Sequence, residues 1–490
     1  MRPRLLIVMA IAGCLLAGSG CRQSVPAGAL VMTQTPAGQP PRAPAGNDLD
    51  TRYPIGSRVV MAVPPFQLES VRVLSAGLAA AGDPMVSLDG RHVFFTGKAN
   101  TNASWQIYEA RLRGGRPRAV TSMPGGAMNP AVLGNGDLVF CSPVPNAAHA
   151  RAHPRPAAVY VQSGSDPARQ LTFGVQPATD PTVLNDGRIL FVSARRKPLE
   201  PEPARRFNTE NALYTVNNDG TQITAFALDR DGAPWVRRPR QLPDGRVAFI
   251  AFAASSDGNG GQAEGVRMAA PFATRTNLFA FPTSACASVE AGGEGSLLAC
   301  LETRGLTGRS MRGTVAVFRI AAGVEGPGEP LFDDPAWNDL EATPLAARPR
   351  PQGHISTMVA GEKTGTILCL DANFTRGEPR DEAAPRKAAR VRVLAAPDGQ
   401  AIGELPVQAD GSFLVEVPAD TAFGFETLDE QGGVIHRLRP ALWVRPGENR
   451  SCIGCHEPYN RSPRNVRPLA ANFPPATLQA PPVPLAQHRP

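Results

Sequence analysis

The chain has 490 residues, long enough for more than one domain, and carries 48 Gly, 50 Pro and a net charge of +7. Gly and Pro at this density argue against long helices and for short strands separated by many turns, the composition of an all-β protein. The basic residues are scattered, with no run interleaved with aromatics, which argues against a nucleic-acid partner.

The N-terminus opens with MRPR and an apolar stretch, LLIVMAIAGCLLAG, followed by GSG and Cys21. A basic start and an apolar run this short form a secretory signal rather than a membrane span. Its pattern is that of a bacterial lipoprotein signal, 1–21, with lipid carried on Cys21; IAGC, ending at Cys14, is the alternative acceptor. The expectation is an exported protein in the periplasm or at the outer membrane, held by a lipid anchor, its thiols in an oxidising compartment. Without Arg2 and Arg4 its net charge falls to about +5. Residues 22–54, rich in Pro, Ala, Gly and Gln, are expected to be a tether.

A repeat follows. DPMVSLDGRHVFFT at 83–96, NPAVLGNGDLVFCS at 129–142, DPTVLNDGRILFVS at 180–193 and RPRQLPDGRVAFIA at 238–251 share one frame: Pro, a spacer, a Gly turn, then an apolar run with Phe. Their turn glycines, Gly90, Gly136, Gly187 and Gly245, are spaced by 46, 51 and 58. Strand pairs repeated at about 50 residues predict a β-propeller, because one blade cannot bury both faces of its own sheet. The frame, with its following IY…RQLT-like strands, resembles the TolB-type propeller repeat. The stretch 55–358 has room for six blades, with NLFAFP at 277 and TVAVFRIAAG at 314 as degenerate later copies. The repeat carboxylates Asp89, Asp186 and Asp244 are read as turn residues, not metal ligands.

Near 360 the frame changes. TGTILCLD, RVRVLAA, AIGELPV, SFLVEVPAD, AFGFETLD and VIHRLRPALWV are short strands, with Phe413, Val415 and Val417 on one face. A small antiparallel sandwich of immunoglobulin-like or transthyretin-like type is predicted over 359–448.

Residues 449–490 hold the strongest motif, SCIGCHEPYN. Cys452, Cys455 and His456 form CxxCH, the attachment signature of haem c: two thiols take the two vinyl groups and the adjacent imidazole takes the iron. A CxxC redox pair, half of a zinc site and a simple disulfide are the competing uses. Nine prolines among the 34 residues after His456 rule out a helical wrap, so the haem is expected to lie against the propeller or the sandwich. Trp443, Trp337 and His354 are the expected neighbours, with Trp443 better read as sandwich core. His354, His436, His488 and Met358 are candidate sixth ligands, beside an open position. Cys286 and Cys300 flank GGEG and could pair across a hairpin; Cys141 and Cys369 are read as buried apolar residues.

The stretches PVQADGSFLVEVPADT and WVRPGENRSCIGCHE resemble the middle domain of the hydrazine synthase alpha-subunit family, best over 360–470. The resemblance implies a c-type haem protein with a redox role, and a tyrosine near the motif as an iron ligand, for which Tyr459 is the candidate. The family's alpha chains continue into a further haem-bearing domain, whereas this sequence has a single CxxCH, so hydrazine synthesis is not expected of it. The expected function is electron transfer or haem-based redox chemistry with a redox partner protein. The alternative is a propeller–sandwich scaffold that binds a protein or glycan at the cell envelope, its CxxCH structural or zinc-binding. The motifs name no catalytic residue.

Overall fold

A computed structural model describes residues 27–39, 52–112, 115–144, 157–196, 209–227, 235–252, 261–281, 286–303, 314–321, 323–375, 387–396, 399–455 and 465–478. Its described residues form eight sheets. Six follow one another around a ring, and two build a C-terminal unit.

The first four blades begin with the strands Ala80–Val86, Met128–Val132, Ala178–Val183 and Trp235–Gln241, which carry the Pro residues of the repeat, and each adds three more strands outward. The fifth has three, Cys286–Gly293, Ser296–Glu302 and Val315–Ile320. The sixth is made from both ends of the ring. Leu30–Pro36 lies between Trp337–Pro344 and Arg58–Ala62, antiparallel to both. Residues 30–36 are therefore not tether, and the propeller begins well before 55. The composition of 22–54 hides a strand whose alternate residues face two blades: Leu30 and Met32 pack on the fifth, Val31 on the first. Every gap between successive blades holds its own apolar cluster, which is how a ring of two-faced sheets buries both faces.

The repeat's X-Pro step has a specific geometry. Asp83, Asn129, Asp180 and Arg238, each just before its Pro, have φ between 50° and 60° and sit at a bulge where pairing slips. Glu341 repeats the bulge in the sixth blade without a Pro, at φ 60°. A bulge turns one side chain out of the pleat, and here the side chains from five blades meet. Arg238 pairs with Glu341 and approaches Asp83 at 3.9 Å; Asn129 donates to Asp83; Tyr53 Oη donates to Glu341 at 2.6 Å. Arg52 takes both oxygens of Asp180, at 2.8 and 3.0 Å. Contacts among innermost strands of so many blades locate this network on the ring axis.

Asp89, Asp186 and Asp244 do what turn residues do: each carboxylate accepts the backbone N–H two residues on, at 3.0–3.1 Å. Cys286 and Cys300 lie on adjacent hairpin strands but do not pair. A bulge offsets them, and they face opposite sides of the fifth blade.

Between the propeller and the C-terminal unit, residues 346–358 strap the face that carries the repeat turns. Arg348 N donates to Leu88 O, Gln352 N to Asn185 O, and Ser356 Oγ to Asp219. The strap runs so close that a Cβ on Gly187, φ 86°, would lie 2.1 Å from Gln352 O.

In the C-terminal unit, Thr364–Asp371 is flanked by Phe413–Pro418 and Asn449–Gly454. A four-stranded sheet is ordered Gln400–Pro406, Arg390–Ala395, Phe423–Leu428, Val434–Leu442. The two share one core, in which Ile367, Phe413 and Val415 meet Val391, Val393 and Phe425. The antiparallel expectation fails for one pair: Asn449–Gly454 runs parallel to Thr364–Asp371. Cys452 thus lies on a strand of this unit, and Cys455 directly follows it.

Candidate functional site

Residues 443–450, WVRPGENR, dock the C-terminal unit onto the second and third blades. Trp443 is 2% exposed and lies in the core between those blades, its Nε1 donating to Gly220 O at 3.1 Å. It is a peg in the propeller, not a side chain of the sandwich core. It also lines a cleft together with Gly174, Phe191, Tyr214 and Ile223. Arg445 donates to Gln170 O at 3.0 Å, lies 4.8 Å over the Phe173 ring and pairs with Asp420 at 3.1 Å. Burial lowers its pKa, which the carboxylate partly offsets. Glu448 accepts Gln222 N and Arg445 N, both at 2.8 Å, and burial raises its pKa. Arg450 donates to Ile223 O.

Two residues after that last contact comes the first thiol. Along Asn449–Gly454 exposed and sheltered residues alternate, and Arg450, Cys452 and Gly454 are the sheltered ones. Cys452 is the register partner of Cys369. Gly454 lies against Phe374, whose carbonyl oxygen would be 2.2 Å from a Cβ there, so no larger residue fits. Cys455 follows the strand and turns inward: it is 8% exposed and packs with Cys369, Phe413 and Val415. The Cys455 thiol, with burial second, pushes the Cys369 pKa well above the usual thiol range.

Four large apolar residues within or shortly after the motif in sequence are exposed: Ile453, Val466, Leu469 and Phe473, the last at 57%. The segment 465–478 returns to the unit. Leu469 N donates to Asp410 and Ala470 N to Ser412 Oγ, and Ala476 bridges to Val415.

His456 and Tyr459 lie outside the described residues, as do Cys14, Cys21 and His488. The other expected neighbours are not gathered at the thiols. Trp337 stacks on Arg58 at 3.8 Å on the sixth blade. His354 sits on the strap beside Gly187, its Nε2 buried without a hydrogen-bond partner, and Met358 follows on the same strap. His436 is on the edge strand of the four-stranded sheet, not the sheet of the thiols. Cys141 and Cys369 are buried, as read. Sequence reasoning missed the pairing of Cys369 with the motif, because a register between distant strands has no local signature. It also missed the axial residues, whose signal was present as the X before each repeat Pro. No cluster of three or more metal-ligating side chains occurs among the described residues, nor any helix long and apolar enough to cross a membrane.

Residues 366–457 match the protein family described as hydrazine synthase alpha subunit middle domain. The hydrazine synthase subunit alpha of Kuenenia stuttgartiensis is 21% identical over 525 aligned positions, covering 82% of this chain. The chain spans 63% of that relative's length. The solved structure of Kuenenia stuttgartiensis hydrazine synthase superposes with a TM-score of 0.76 at 18% identity, over 91% of this chain and 71% of that one. TolB from Acinetobacter baumannii aligns over 65% of this chain and 66% of its own, with a TM-score of 0.42 and 12% identity.

Proposed function

Because residues 366–457 belong to the hydrazine synthase alpha subunit middle-domain family, we propose that this chain is an exported c-type haem protein working in electron transfer or haem-based redox chemistry. It holds one haem through thioethers at Cys452 and Cys455 with His456 on the iron. The observation that carries the reading is the CxxCH run at the end of a strand fixed on two sides, by Thr364–Asp371 and by the propeller through Arg450.

The residues fit the group in three respects. The donor set is two thiols two residues apart with an imidazole directly after the second. The strand that carries the thiols is an edge strand, with no further strand on its outer side among the described residues. Exposed Ile453, Val466, Leu469 and Phe473 offer apolar contact, and burying about 300 Å² of apolar porphyrin would be worth on the order of 7 kcal/mol. When bound, the haem supplies a one-electron couple at iron. The chain's own residues supply position: Trp443, Arg445, Glu448 and Arg450 lock the strand to the propeller, so a redox partner would meet the haem at a fixed place on a rigid body.

Tyr459 is proposed as a second iron ligand, Cys21 as the lipidated residue with Cys14 as the alternative, and the periplasmic side of a membrane as the location. The test is chemical. Protein made in a periplasm competent for haem maturation should gain the mass of one haem, resist acid-acetone extraction and give a haemochrome spectrum in pyridine. A chain of unmodified mass from that host overturns the reading. Tyr459→Phe should shift the ferric absorption spectrum while leaving the haem covalently attached.

A further inference from the structure

The ring has two faces, and the chain enters it on one of them. Leu345 N, at the root of the strap, donates to Ala29 O, and Leu30 stands opposite Pro344 in register. The N-terminal chain therefore meets the ring on the strap face, the face of the repeat turns. Cys21 lies six residues before Ala27, where the described chain begins. Six residues of extended chain reach at most about 22 Å. To bring the opposite face to a bilayer, that leash would first have to pass outward beyond two strands, about 10 Å. It would then have to run down the height of Leu30–Pro36, roughly another 20 Å. A lipid on Cys21 is too close to the ring for that.

Exposed apolar side chains mark the same face. Leu68, 46% exposed, is on the loop that leaves Ala62, the register partner of Leu30. Exposed Val324 follows Ile320, which pairs with Leu297 just after the turn of the fifth blade. Ile355, 96% exposed, is on the strap itself. Ile55, 48% exposed, marks the opposite face, because its neighbour Gly56 donates to Ala79 O ahead of the innermost strand Ala80–Val86. Around the apolar residues of the strap face, exposed Arg350 and Lys363 are offset by exposed Glu69 and Glu325. The face thus has little electrostatic preference for anionic lipid.

We propose that the strap face is the membrane face of this protein. With Cys21 lipidated, the ring rests on the bilayer surface through Leu68 and Val324, on the sixth and fifth blades beside the point of entry. The C-terminal unit is on this face too: Glu448 accepts Gln222 N, Trp443 donates to Gly220 O, and the strap's Ser356 reaches Asp219 next to them. The strand of Cys452 is thereby held on the membrane side of the ring. The proposal rests on the lipidation of Cys21 and not on the haem.

The test uses the full chain, matured in a periplasm and reconstituted on vesicles of phosphatidylethanolamine and phosphatidylglycerol, with and without brominated acyl chains that quench nearby tryptophan. Leu68→Trp and Val324→Trp report on the strap face, and Ile55→Trp on the other. All three sites are exposed, and an unchanged thermal transition confirms each fold. In brominated vesicles the two strap-face variants should lose most of the emission they add to the parent, while Ile55→Trp keeps its own. Added salt should leave this unchanged. Equal quenching at both faces, quenching of Ile55→Trp alone, quenching that salt abolishes, or none at all overturns the proposal; the last is the result expected if Leu68 and Val324 meet a protein instead. The intact mass separates the two readings. A mature chain without lipid sinks the anchor and the face together, whereas a lipidated chain with unquenched Leu68→Trp and Val324→Trp sinks the face alone.

Discussion

At the scale of single residues, the propeller axis holds a fully buried ion pair, Arg52 with Asp180. Asp180 is fully buried, which by itself raises a carboxyl pKa, but the charge and hydrogen bonds of Arg52 win and hold it at about 2. The sign follows. The folded pKa lies below the unfolded value near 3.9, so the stability from this pair is fully present above pH 4 and is lost as pH falls toward 2. Equilibrium unfolding followed from pH 6 to pH 2 should show that loss. In Asp180→Asn the Arg52 charge stays buried without its counter-charge, and stability at pH 7 should drop by about 3–5 kcal/mol. A denaturation midpoint within error of the parent would show that water reaches Arg52. Residue by residue, the sequence was legible where chemistry is local. CxxCH and the Asp-Gly turns are complete within a few positions. The X-Pro residues were visible as a repeat, but their aim at the axis depends on a bulge that only sheet pairing creates. Cys369 was read correctly as buried, yet its neighbours come from a parallel register that periodicity does not encode.

At the scale of elements, the strand Leu30–Pro36 bears more weight than its length suggests. It supplies backbone partners to Arg58–Ala62 on one side and Trp337–Pro344 on the other, and its faces fill two apolar clusters. A chain lacking residues up to 39 should lose its cooperative thermal transition and expose apolar surface to a hydrophobic dye. A sharp transition retained by that chain would mean the ring closes without this strand. The first four blades could be read from sequence because each carries the X-Pro bulge and the Gly turn together. The last two could be inferred from spacing but not from the motif: Glu341 makes its bulge without Pro, and the fifth blade bulges between Cys286 and Ser288 with no Pro at all. The C-terminal strands were legible from alternation, as in Phe413, Val415 and Val417, all buried. Their order was not, since a parallel edge strand obeys the same alternation as an antiparallel one.

At the scale of the whole molecule, the strap and the WVRPGENR hook make one body of two units. Trp443 fills the groove between two blades, while Arg445, Glu448 and Arg450 satisfy propeller backbone groups around it. Truncating a buried Trp typically costs about 3–5 kcal/mol. Trp443→Ala should lose that much, and its calorimetric trace should split into two transitions where the parent gives one. A single transition in the variant would show that the strap alone couples the units. The thiol pair would then sit on a loosely hung unit rather than on a fixed one.

The ring is fastened by a strand from its own beginning, and this sets a timetable for assembly. Synthesis runs from the N-terminus, so Gln34 is made early and must wait for Asp339, 305 residues later, to which it donates a hydrogen bond in the finished blade. Contacts of such sequence separation make folding slow and leave unpaired strand edges exposed meanwhile. The groove that receives Trp443 is assembled from the second and third blades, so it can form before the ring is fastened, and the hook and the strand Asn449–Gly454 are made about a hundred residues after Trp337–Pro344. Fastening the first strand and seating the peg thus become possible in that order as the chain is made. A nascent chain held with Trp337–Pro344 just clear of the ribosome should still be readily cleaved by protease in its blades if fastening is slow, and resistant if the ring snaps shut as soon as that strand emerges.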